Sequence, residues 1–412
     1  MLPPARPDLE RLAEVRAALP ALAAGIYLNT GSVGPMPAET AAAMAELTDY
    51  ELRTGRAHAD YFDEMLQRMA EARSAVAAVL TADVDDIALT HSTTDGMNIG
   101  ISSIDWQPGD RAVTTDLEHA GGVGGLLALR DRLGIDVAVV AIPEPSDDAA
   151  IVAAFDAAID ARTRAVVISH VLWATGRLLP IAEIASVAQT RGASLIVDGA
   201  QSAGAMQIDL AATGADVYSI PAQKWLLGPE GMGAVAVRPE ARDRIRPAAA
   251  GYFSFEHFDL RRESRFWPDA RRLEASNYHR PSIAGMARSI GWLSMYVGLD
   301  WIYERGAAMA RLAADRLGSI VGVEVLTPRD RMVTLVTFRI ADWPAQAALD
   351  ELGARVFAIA RTIDPLDAIR ISVGFFTSEE ELERLAGAVE ALAAHTPATM
   401  PPRRSLNLLG QS

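Results

Sequence analysis

Short runs of apolar and β-branched residues alternate with longer segments of helical periodicity through the middle of this chain. The runs that read as strands cover Asp86–Thr90, Arg111–Thr115, Asp136–Ile142, Arg164–Ser169, Ser194–Asp198, Asp216–Ile220 and Gly233–Val237. Between two of them, Ile181–Arg191 has its apolar residues on one helical face, and Gly192 follows as a stop. Strands that alternate with helices predict an α/β fold with a mostly parallel, seven-stranded sheet between two helical layers.

The C-terminal part of the chain has a different pattern, in which helices are mixed with a few strands. Its helices are predicted at Tyr303–Leu317 and Glu379–Ala394, and its strands at Val323–Leu326, Val333–Arg339 and Ile369–Val373. Ser378 and Glu381 have the spacing of a capping box at the start of the last helix. We expect a large α/β domain over residues 26–282 and a smaller α+β domain from residues 1–25 and 283–396. The Pro-rich residues 397–412 are expected to form a poorly ordered tail.

Composition and charge exclude several classes of protein. The 412 residues are 50% hydrophobic and 22% charged, which is typical of a globular protein. A net charge of −15 disfavours binding to nucleic acid or to an anionic membrane surface. The first twenty residues lack the apolar run of a signal peptide, and no apolar run has the length of a membrane span. Cysteine is absent, so disulfides, thiolate metal sites and a cysteine nucleophile are excluded, and a cytoplasmic location is expected.

Two segments combine a carboxylate with a lysine at the ends of predicted strands. Asp198 ends the strand of SLIVDGAQSAG, and Lys224 follows the strand of DVYSIPAQKWLLGPEGMG. The chain between them has room for one crossover and a return strand, so both side chains are expected at one edge of the sheet. Pyridoxal phosphate (PLP) needs a lysine for its Schiff base and a carboxylate for its ring nitrogen. The alternative is a helix-capping Asp198 and a solvated Lys224, which the Gln-Lys-Trp-x-x-Gly-Pro motif disfavours.

From Tyr27 to about Ala394, the chain resembles the aminotransferase class V family of fold-type I PLP enzymes. This resemblance rests above all on the two segments around Asp198 and Lys224. It implies that PLP is the cofactor and that Lys224 is the Schiff-base lysine. It also implies that Asp198 pairs with the ring nitrogen and that Gln201 donates to the ring oxygen.

Two further motifs match cofactor-binding positions of the family. Thr93 and Thr94, in THSTTDGMN, match the phosphate-binding pair at a helix N-terminus, although such a pattern is also a common N-cap. His119, in DLEHAGG, matches the aromatic ring over the pyridine face and can also move protons, the alternative being a surface histidine. The neighbouring GGVGG lacks the spacing of a dinucleotide-binding loop.

The resemblance also implies substrate and subunit contacts. Arg370, in IRISVGFFTSEEEL, matches the arginine that clamps a substrate carboxylate, and Asn29, in YLNTGSVGPMP, lies in the segment that folds over the substrate. His58 lies in a region that matches a site wall, with plain packing as the equal alternative. Asn277, in RRLEASNYHRP, matches a small polar residue that touches the partner's phosphate. A homodimer with shared active sites is therefore expected.

Three positions depart from the pattern of the family. Pro221 replaces a residue that is often serine, and it has neither a hydroxyl nor an N–H group. Gln223 replaces a frequent histidine, although its amide can still donate to phosphate. Trp173, in HVLWATG, stands where the family has an asparagine beside the ring oxygen, and it is expected to form a wall of the pocket instead.

The absence of cysteine also shapes the expected reaction. The resemblance implies an α-amino acid substrate, an external aldimine and deprotonation of Cα by Lys224. Since cysteine desulfurases carry sulfur on a cysteine, we expect that the chain is not a cysteine desulfurase. We expect a C–S lyase that performs β-elimination on a cysteine S-conjugate or sulfoxide. A class V aminotransferase and an isopenicillin N epimerase-like epimerase are the alternatives, and a non-catalytic homologue or a nicotinamide-dependent oxidoreductase are more distant ones.

Overall fold

The computed structural model describes residues 8–143, 145–275 and 277–402, which form fifteen strands and twelve α-helices. The strands are β1 (Ile26–Tyr27), β2 (Ile87–Thr90), β3 (Arg111–Thr115), β4 (Asp136–Val140), β5 (Thr163–Ser169), β6 (Ser194–Asp198), β7 (Val217–Pro221), β8 (Gly233–Val237), β9 (Phe255–His257), β10 (Arg265–Phe266), β11 (Val323–Val325), β12 (Leu335–Ile340), β13 (Ala358–Ile359), β14 (Arg361–Ile363) and β15 (Ala368–Ser372). The helices are α1 (Asp8–Ala17), α2 (Ala38–Thr54), α3 (Tyr61–Leu80), α4 (Thr93–Ser102), α5 (Ala120–Leu133), α6 (Asp148–Ala158), α7 (Ile181–Thr190), α8 (Leu210–Thr213), α9 (Arg280–Gly291), α10 (Leu299–Gly318), α11 (Ala345–Val356) and α12 (Glu379–Ala393).

A seven-stranded sheet forms the centre of the molecule, with the strand order β2-β8-β7-β6-β5-β3-β4. The pairs from β4 to β7 are parallel, and β8 runs antiparallel to both β2 and β7. The α/β fold class and the mostly parallel, seven-stranded sheet that the alternating pattern predicts are therefore confirmed. The predicted strands agree with the observed ones to within two residues at each end.

Helices cover both faces of this sheet because its strands are apolar on both sides. On one face, α4 and α5 contribute Met97, Ile101 and Leu126 to a buried cluster. The opposite face packs against α3, α6 and α7, with residues such as Met69 and Ile184 in the core. Buried strands with helices on either face are typical of parallel sheets.

A second, four-stranded antiparallel sheet has the order β11-β12-β15-β14 and packs against α10, α11 and α12. The cap of α12 has the predicted capping box, in which Ser378 Oγ accepts from the Glu381 N–H and the Glu381 carboxylate accepts from the Ser378 N–H. The N-terminal strand β1 pairs with β13, and Ile26 and Leu28 belong to the hydrophobic core around the four-stranded sheet. The exact domain boundaries stay a prediction.

Parts of the predicted N-terminal and tail segments fall on residues 1–7 and 403–412, outside the described residues. Within the described part of the chain, none of the helices combines the length and hydropathy that crossing a membrane requires.

Candidate active site

The candidate site lies at the edge of the large sheet where several parallel strands end. Loops that follow parallel strands meet at one edge, where ligands bind in open α/β sheets. His119 follows β3, Ser169 ends β5, Asp198 ends β6 and Lys224 follows β7. All four side chains line one cavity of about 260 Å³.

Lys224 and Asp198 face this cavity from neighbouring strands, as the sequence predicts. Asp198 Oδ1 accepts a hydrogen bond from the Ala200 N–H (2.8 Å). Burial raises the pKa of the Asp198 carboxyl, and Lys224 opposes that shift. Burial lowers the pKa of the Lys224 amine to about 8, although the carboxylate of Asp198 raises it. The amine is therefore readily available as a neutral nucleophile.

Gln201 is held by two hydrogen bonds at the side of the cavity. Its Nε2 donates to the Gly31 carbonyl (2.8 Å), and its Oε1 accepts from the Trp225 indole N–H (3.0 Å). The second N–H of a glutamine amide remains for another acceptor. Its predicted donation to the ring oxygen stays a prediction that this arrangement allows.

The start of α4 provides a candidate phosphate site. Ser92 is the N-cap, and its Oγ accepts from the Asp95 N–H (3.1 Å). Thr94 lines the cavity, and Thr93 Oγ1 is buried without a hydrogen-bond partner among the described residues. First-turn N–H groups of a helix are free to bind an anion. Gln223 lines the same cavity, and its buried Oε1 has no hydrogen-bond partner among the described residues. A glutamine amide also carries N–H groups that can donate to a phosphate.

The glycines at the start of α5 bring this helix close to the site. A Cβ on Gly121 would lie 2.5 Å from Thr94 Oγ1, and a Cβ on Gly122 would lie 2.9 Å from Asp198 Oδ2. Neither position can carry a side chain unless a site residue moves. The GGVGG segment therefore permits close approach, a different use from that of a dinucleotide-binding loop.

His119 is the N-cap of α5 and lies beside Trp173. Its Nδ1 accepts a hydrogen bond from the Gly121 N–H (3.1 Å). Burial lowers the pKa of His119, and the charge of Lys224 lowers it further. The ring meets the indole of Trp173 edge to face, with centroids 5.3 Å apart. A neutral imidazole with a free Nε2 thus faces the cavity, as a ring-stacking residue would.

Arg370 lies fully buried in β15 and also lines the cavity. Its Nη1 donates to the Trp173 carbonyl (2.9 Å), whereas its Nε and Nη2 have no hydrogen-bond partner among the described residues. Burial lowers its pKa to about 9, and the neighbouring Arg361 adds to that shift. A buried guanidinium with free N–H groups suits a carboxylate ligand.

The N-terminal segment closes one side of the cavity through Gly31 and Ser32, while Asn29 is not among the lining residues. Asn29 forms a backbone bridge with Ser372, and its Oδ1 accepts from the Ser32 hydroxyl (2.8 Å). The Gly34 N–H donates to the carbonyl of Gln223 (2.7 Å). A Cβ on Gly34 would lie 2.3 Å from the Lys224 carbonyl, so this position requires glycine.

Two other predicted residues lie outside the lining of the cavity of their own chain. Asn277 is exposed, and its carbonyl lies 3.2 Å from His91 Nε2. His58 packs edge to face against Tyr50 and Tyr61. Plain packing therefore describes His58, and the role of Asn277 toward a partner subunit stays a prediction.

The positions that depart from the family pattern have clear places in the structure. Trp173 lines the cavity, which agrees with the expectation that it forms a wall. Pro221 ends β7 opposite Gly233 of β8, three residues before the lysine. Since proline has no N–H, it contributes no donor there.

Sequence reasoning missed three residues near the site. Arg361 in β14 and Ser169 in β5 both line the cavity. Glu118 is partly buried and accepts hydrogen bonds from the Ser169 N–H (3.0 Å) and the Thr115 hydroxyl (2.9 Å). Burial raises its pKa to about 7. The place of Glu118 directly before His119 was the one signal that could have pointed to it.

These residues fit pyridoxal phosphate. The lysine and the carboxylate share one cavity, a helix N-terminus with an unpartnered threonine hydroxyl can hold the phosphate, and α5 leaves free the space that Cβ atoms on its first glycines would fill. When bound, PLP supplies an aldehyde for an amine and a ring that accepts an electron pair. The sheet order and this edge site define a PLP enzyme of fold type I.

Comparison with known proteins agrees with this class. The family model Aminotransferase class-V matches residues 26–385, and the chain belongs to this family. The probable cysteine desulfurase of Methanothermobacter thermautotrophicus is 28% identical over 401 residues, which cover 93% of this chain and 98% of that protein. The isopenicillin N epimerase of Streptomyces clavuligerus is 30% identical over 398 residues, covering 89% of this chain and 94% of that protein.

Solved structures of the protein C-DES are also similar. A lysine-to-alanine mutant with glycine covalently linked to its PLP cofactor has a TM-score of 0.85 at 26% identity, covering 91% of this chain and 98% of its own. The complex of this cystine C–S lyase with its reaction product cysteine persulfide has a TM-score of 0.84 at 27% identity, covering 90% and 99%. The chain is therefore an enzyme with PLP as its cofactor.

The expected function requires a correction. We expected a lyase for S-conjugates or sulfoxides and excluded cysteine desulfurases, but several relatives are named cysteine desulfurases. The inference was wrong because it took the cysteine count as a test of the whole group. A missing cysteine rules out a persulfide on this chain, whereas breaking a C–S bond requires only the lysine, the carboxylate and the cofactor.

Proposed function

We propose that this chain uses PLP to release sulfur from cysteine or cystine, as a member of the desulfurase group within its family. The observation that carries this proposal is that the Lys224 amine, the Asp198 carboxylate and the Arg370 guanidinium line one cavity. The names of the relatives support the sulfur chemistry, because cysteine desulfurases and a cystine C–S lyase stand among them.

Each of these residues has a task that its environment supports. Burial lowers the pKa of Lys224 to about 8, so the neutral amine that would hold the cofactor, and later remove the Cα proton of the substrate, forms far more readily than on a lysine in water. When PLP is bound, Asp198 would keep its ring nitrogen protonated. The free Nε and Nη2 of Arg370 orient the substrate through its α-carboxylate.

The sulfur must leave without a cysteine of this chain. With cysteine and an external thiol, the balanced products are alanine and a persulfide of that thiol. With cystine and one water, they are pyruvate, ammonia and cysteine persulfide. Either outcome leaves the sulfur on a small molecule or on a separate carrier.

We also propose a homodimer in which Asn277 of each chain reaches toward the phosphate of its partner. Its exposure and its place outside the cavity of its own chain support this arrangement. An amino-acid substrate suits the charged cavity, and we expect no nucleic-acid or membrane partner at a net charge of −15. A cytoplasmic location stays a prediction.

The direct test is product analysis with the PLP-loaded protein. Incubation with cysteine or cystine and an external thiol should release persulfide sulfur together with alanine or pyruvate. Lys224→Ala should lower turnover by about 10³-fold or more, since it removes the base and the covalent link. Arg316→Gln, in an exposed ion pair with Glu383, is the matched control and should leave turnover unchanged. A PLP-loaded protein that releases no sulfur from either substrate would overturn the proposal.

A further inference from the structure

A buried histidine and a buried tyrosine lie behind the turn that bears Asp198 and Gln201. His170 directly follows β5 and Tyr218 lies within β7, and neither side chain lines the cavity. Only 7% of His170 and 0% of Tyr218 is exposed. No step of the proposed function uses either residue, and a buried polar group is costly unless it is hydrogen-bonded. Their polar atoms therefore need partners inside the protein.

These partners form one chain of hydrogen bonds that ends in the turn. His170 Nδ1 lies 2.7 Å from the Tyr218 hydroxyl, which lies 2.6 Å from Ser202 Oγ. The Ser202 hydroxyl donates in turn to the Gly199 carbonyl (3.1 Å). Gly199 and Ser202 each directly follow one of the two predicted cofactor partners in the sequence. The chain therefore connects the end of β5 to both ends of the turn.

Backbone contacts hold the same turn from both neighbouring strands. The His170 N–H donates to the Asp198 carbonyl (3.0 Å), and the Gly199 N–H donates to the Ser219 carbonyl of β7 (2.8 Å). A Cβ on Gly199 would lie 2.2 Å from Tyr218 Cε1, so the tyrosine ring packs directly against the backbone of the turn. A shift of the Tyr218 side chain would thus move the backbone that carries the Asp198 carboxylate.

A hydroxyl group has a single proton, so only one direction makes every contact of this chain a hydrogen bond. The Ser202 hydroxyl uses its proton for the Gly199 carbonyl, and it can only accept from Tyr218. The Tyr218 proton is then used as well, so His170 must donate from Nδ1. Burial lowers the pKa of His170 to about 4 and raises the pKa of Tyr218, so both side chains are neutral at physiological pH.

We propose that His170 and Tyr218 are positioning residues that hold the Asp198 carboxylate in line with the ring nitrogen of PLP. His170, protonated at Nδ1, is the first donor of the chain, and the Gly199 carbonyl is the last acceptor. A hydrogen bond depends on the alignment of its two partners, and residues behind a binding side chain supply that alignment. This inference rests on the proposed pairing of Asp198 with the cofactor, and it requires no release of sulfur.

Nitrogen NMR of the PLP-loaded wild-type protein tests the direction of the chain without any substitution in the chain itself. In protein with isotope-labelled histidine, His170 should be neutral at physiological pH and carry its proton on Nδ1. The loss of one signal in His170→Asn assigns it among the seven histidines. A proton on Nε2 instead would overturn the proposed chain.

Isotope-labelled nitrogen in the ring of bound PLP reports directly whether that nitrogen carries a proton. Tyr218→Phe removes one hydroxyl and keeps the aromatic ring against the turn. It should shift the ring-nitrogen signal toward the unprotonated form and weaken PLP binding by about threefold to tenfold, the size expected for one buried hydrogen bond. Tyr296→Phe, at a tyrosine that is 59% exposed, is the matched control and should change neither quantity.

Two substitutions of His170 separate hydrogen bonding from packing. His170→Asn places an amide N–H close to the position of Nδ1 and should keep most of the wild-type ring-nitrogen signal. His170→Leu has a similar size but no donor, so it should shift that signal as Tyr218→Phe does. Equal effects of the two His170 variants would show that packing alone acts there and would overturn the proposal.

Asp198→Asn separates the positioning role from the pairing on which it rests. This variant should shift the ring-nitrogen signal further than any variant of the chain. If Asp198→Asn shifts the signal but Tyr218→Phe and His170→Leu do not, the pairing stands and the positioning role is wrong. If Asp198→Asn leaves the signal unchanged, both are wrong. None of these measurements requires turnover, so a protein that releases no sulfur still gives a result.

Discussion

At the scale of single residues, Lys224 shows how its surroundings prepare a functional group. A lysine in water has a pKa of about 10.4, so very little of it is neutral at physiological pH. Inside the cavity, burial opposes the charged form, and Arg370 and Arg361 add to that effect, which brings the pKa of Lys224 to about 8.

This shift predicts a pH dependence for cofactor attachment. Because only the neutral amine attacks an aldehyde, the rate at which PLP binds covalently to cofactor-free protein should rise as the pH increases to about 8 and then level off. The measurement is the absorbance change after PLP is added at a series of pH values. A rate that continues to rise with the slope of an ordinary lysine far above this pH would contradict the shift.

The sequence predicts those site residues whose chemistry demands one residue type. Lys224 and Asp198 are identified because PLP needs an amine and a carboxylate, and each follows an apolar strand. Arg361 is not predicted from the sequence, because no motif surrounds it and its proximity to Arg370 depends on the register of β14 and β15. The lysine motif therefore carries more information than a single charged residue in a short strand.

At the scale of elements, the glycines of α5 differ in whether a side chain would fit at their position. Gly122 faces Asp198, whereas a Cβ on Gly124 would meet no atom within 4 Å. Glycine inside a helix is generally less stable than alanine, so the close contact with Asp198 accounts for Gly122, whereas no contact with the described residues accounts for Gly124.

The two glycines give a matched pair of variants. Gly122→Ala should weaken PLP binding by at least about tenfold, because its Cβ would displace the Asp198 carboxylate, which we propose pairs with the ring nitrogen. Gly124→Ala should leave PLP affinity unchanged and stabilise the protein by roughly 0.5–1 kcal/mol. Titration with PLP and thermal unfolding measure the two effects. Equal PLP affinity in both variants would show that Gly122 is not needed for close approach.

Strand positions are predicted well because a buried parallel strand is apolar on both faces and leaves a continuous signal. The opposite direction of β8 leaves no such signal, because antiparallel and parallel strands with both faces buried have the same composition. Its direction follows instead from the short connection after the lysine loop, which returns the chain to the same edge.

At the scale of the whole molecule, an exposed apolar segment supports assembly into dimers. Tyr252, Phe258 and Leu260 are 72%, 59% and 86% exposed in the connection before α9. Large apolar residues exposed within one segment are typical of an interaction site. The same connection contains Asn277, the residue for which we propose a contact with the partner subunit.

Shared sites predict complementation between two inactive proteins. Lys224→Ala lacks the reactive amine in its own site, and Asn277→Asp places a negative charge where we propose the partner's phosphate binds. In a mixed dimer, one site combines an intact Lys224 with an intact Asn277, so refolding the two variants together should restore about a quarter of the normal activity. Absence of any gain over the separate variants would indicate that each site is built from one chain.

The N-terminal segment, residues 29–34, connects the four-stranded sheet to the seven-stranded sheet at the candidate site. Asn29 is bridged to Ser372, two residues beyond Arg370, and Gly34 is hydrogen-bonded to Gln223, next to Lys224. Six residues of backbone, from Asn29 to Gly34, thus connect the smaller sheet to the loop that bears the reactive amine. If the smaller sheet moves when an amino acid binds, the same movement would therefore shift the reactive amine.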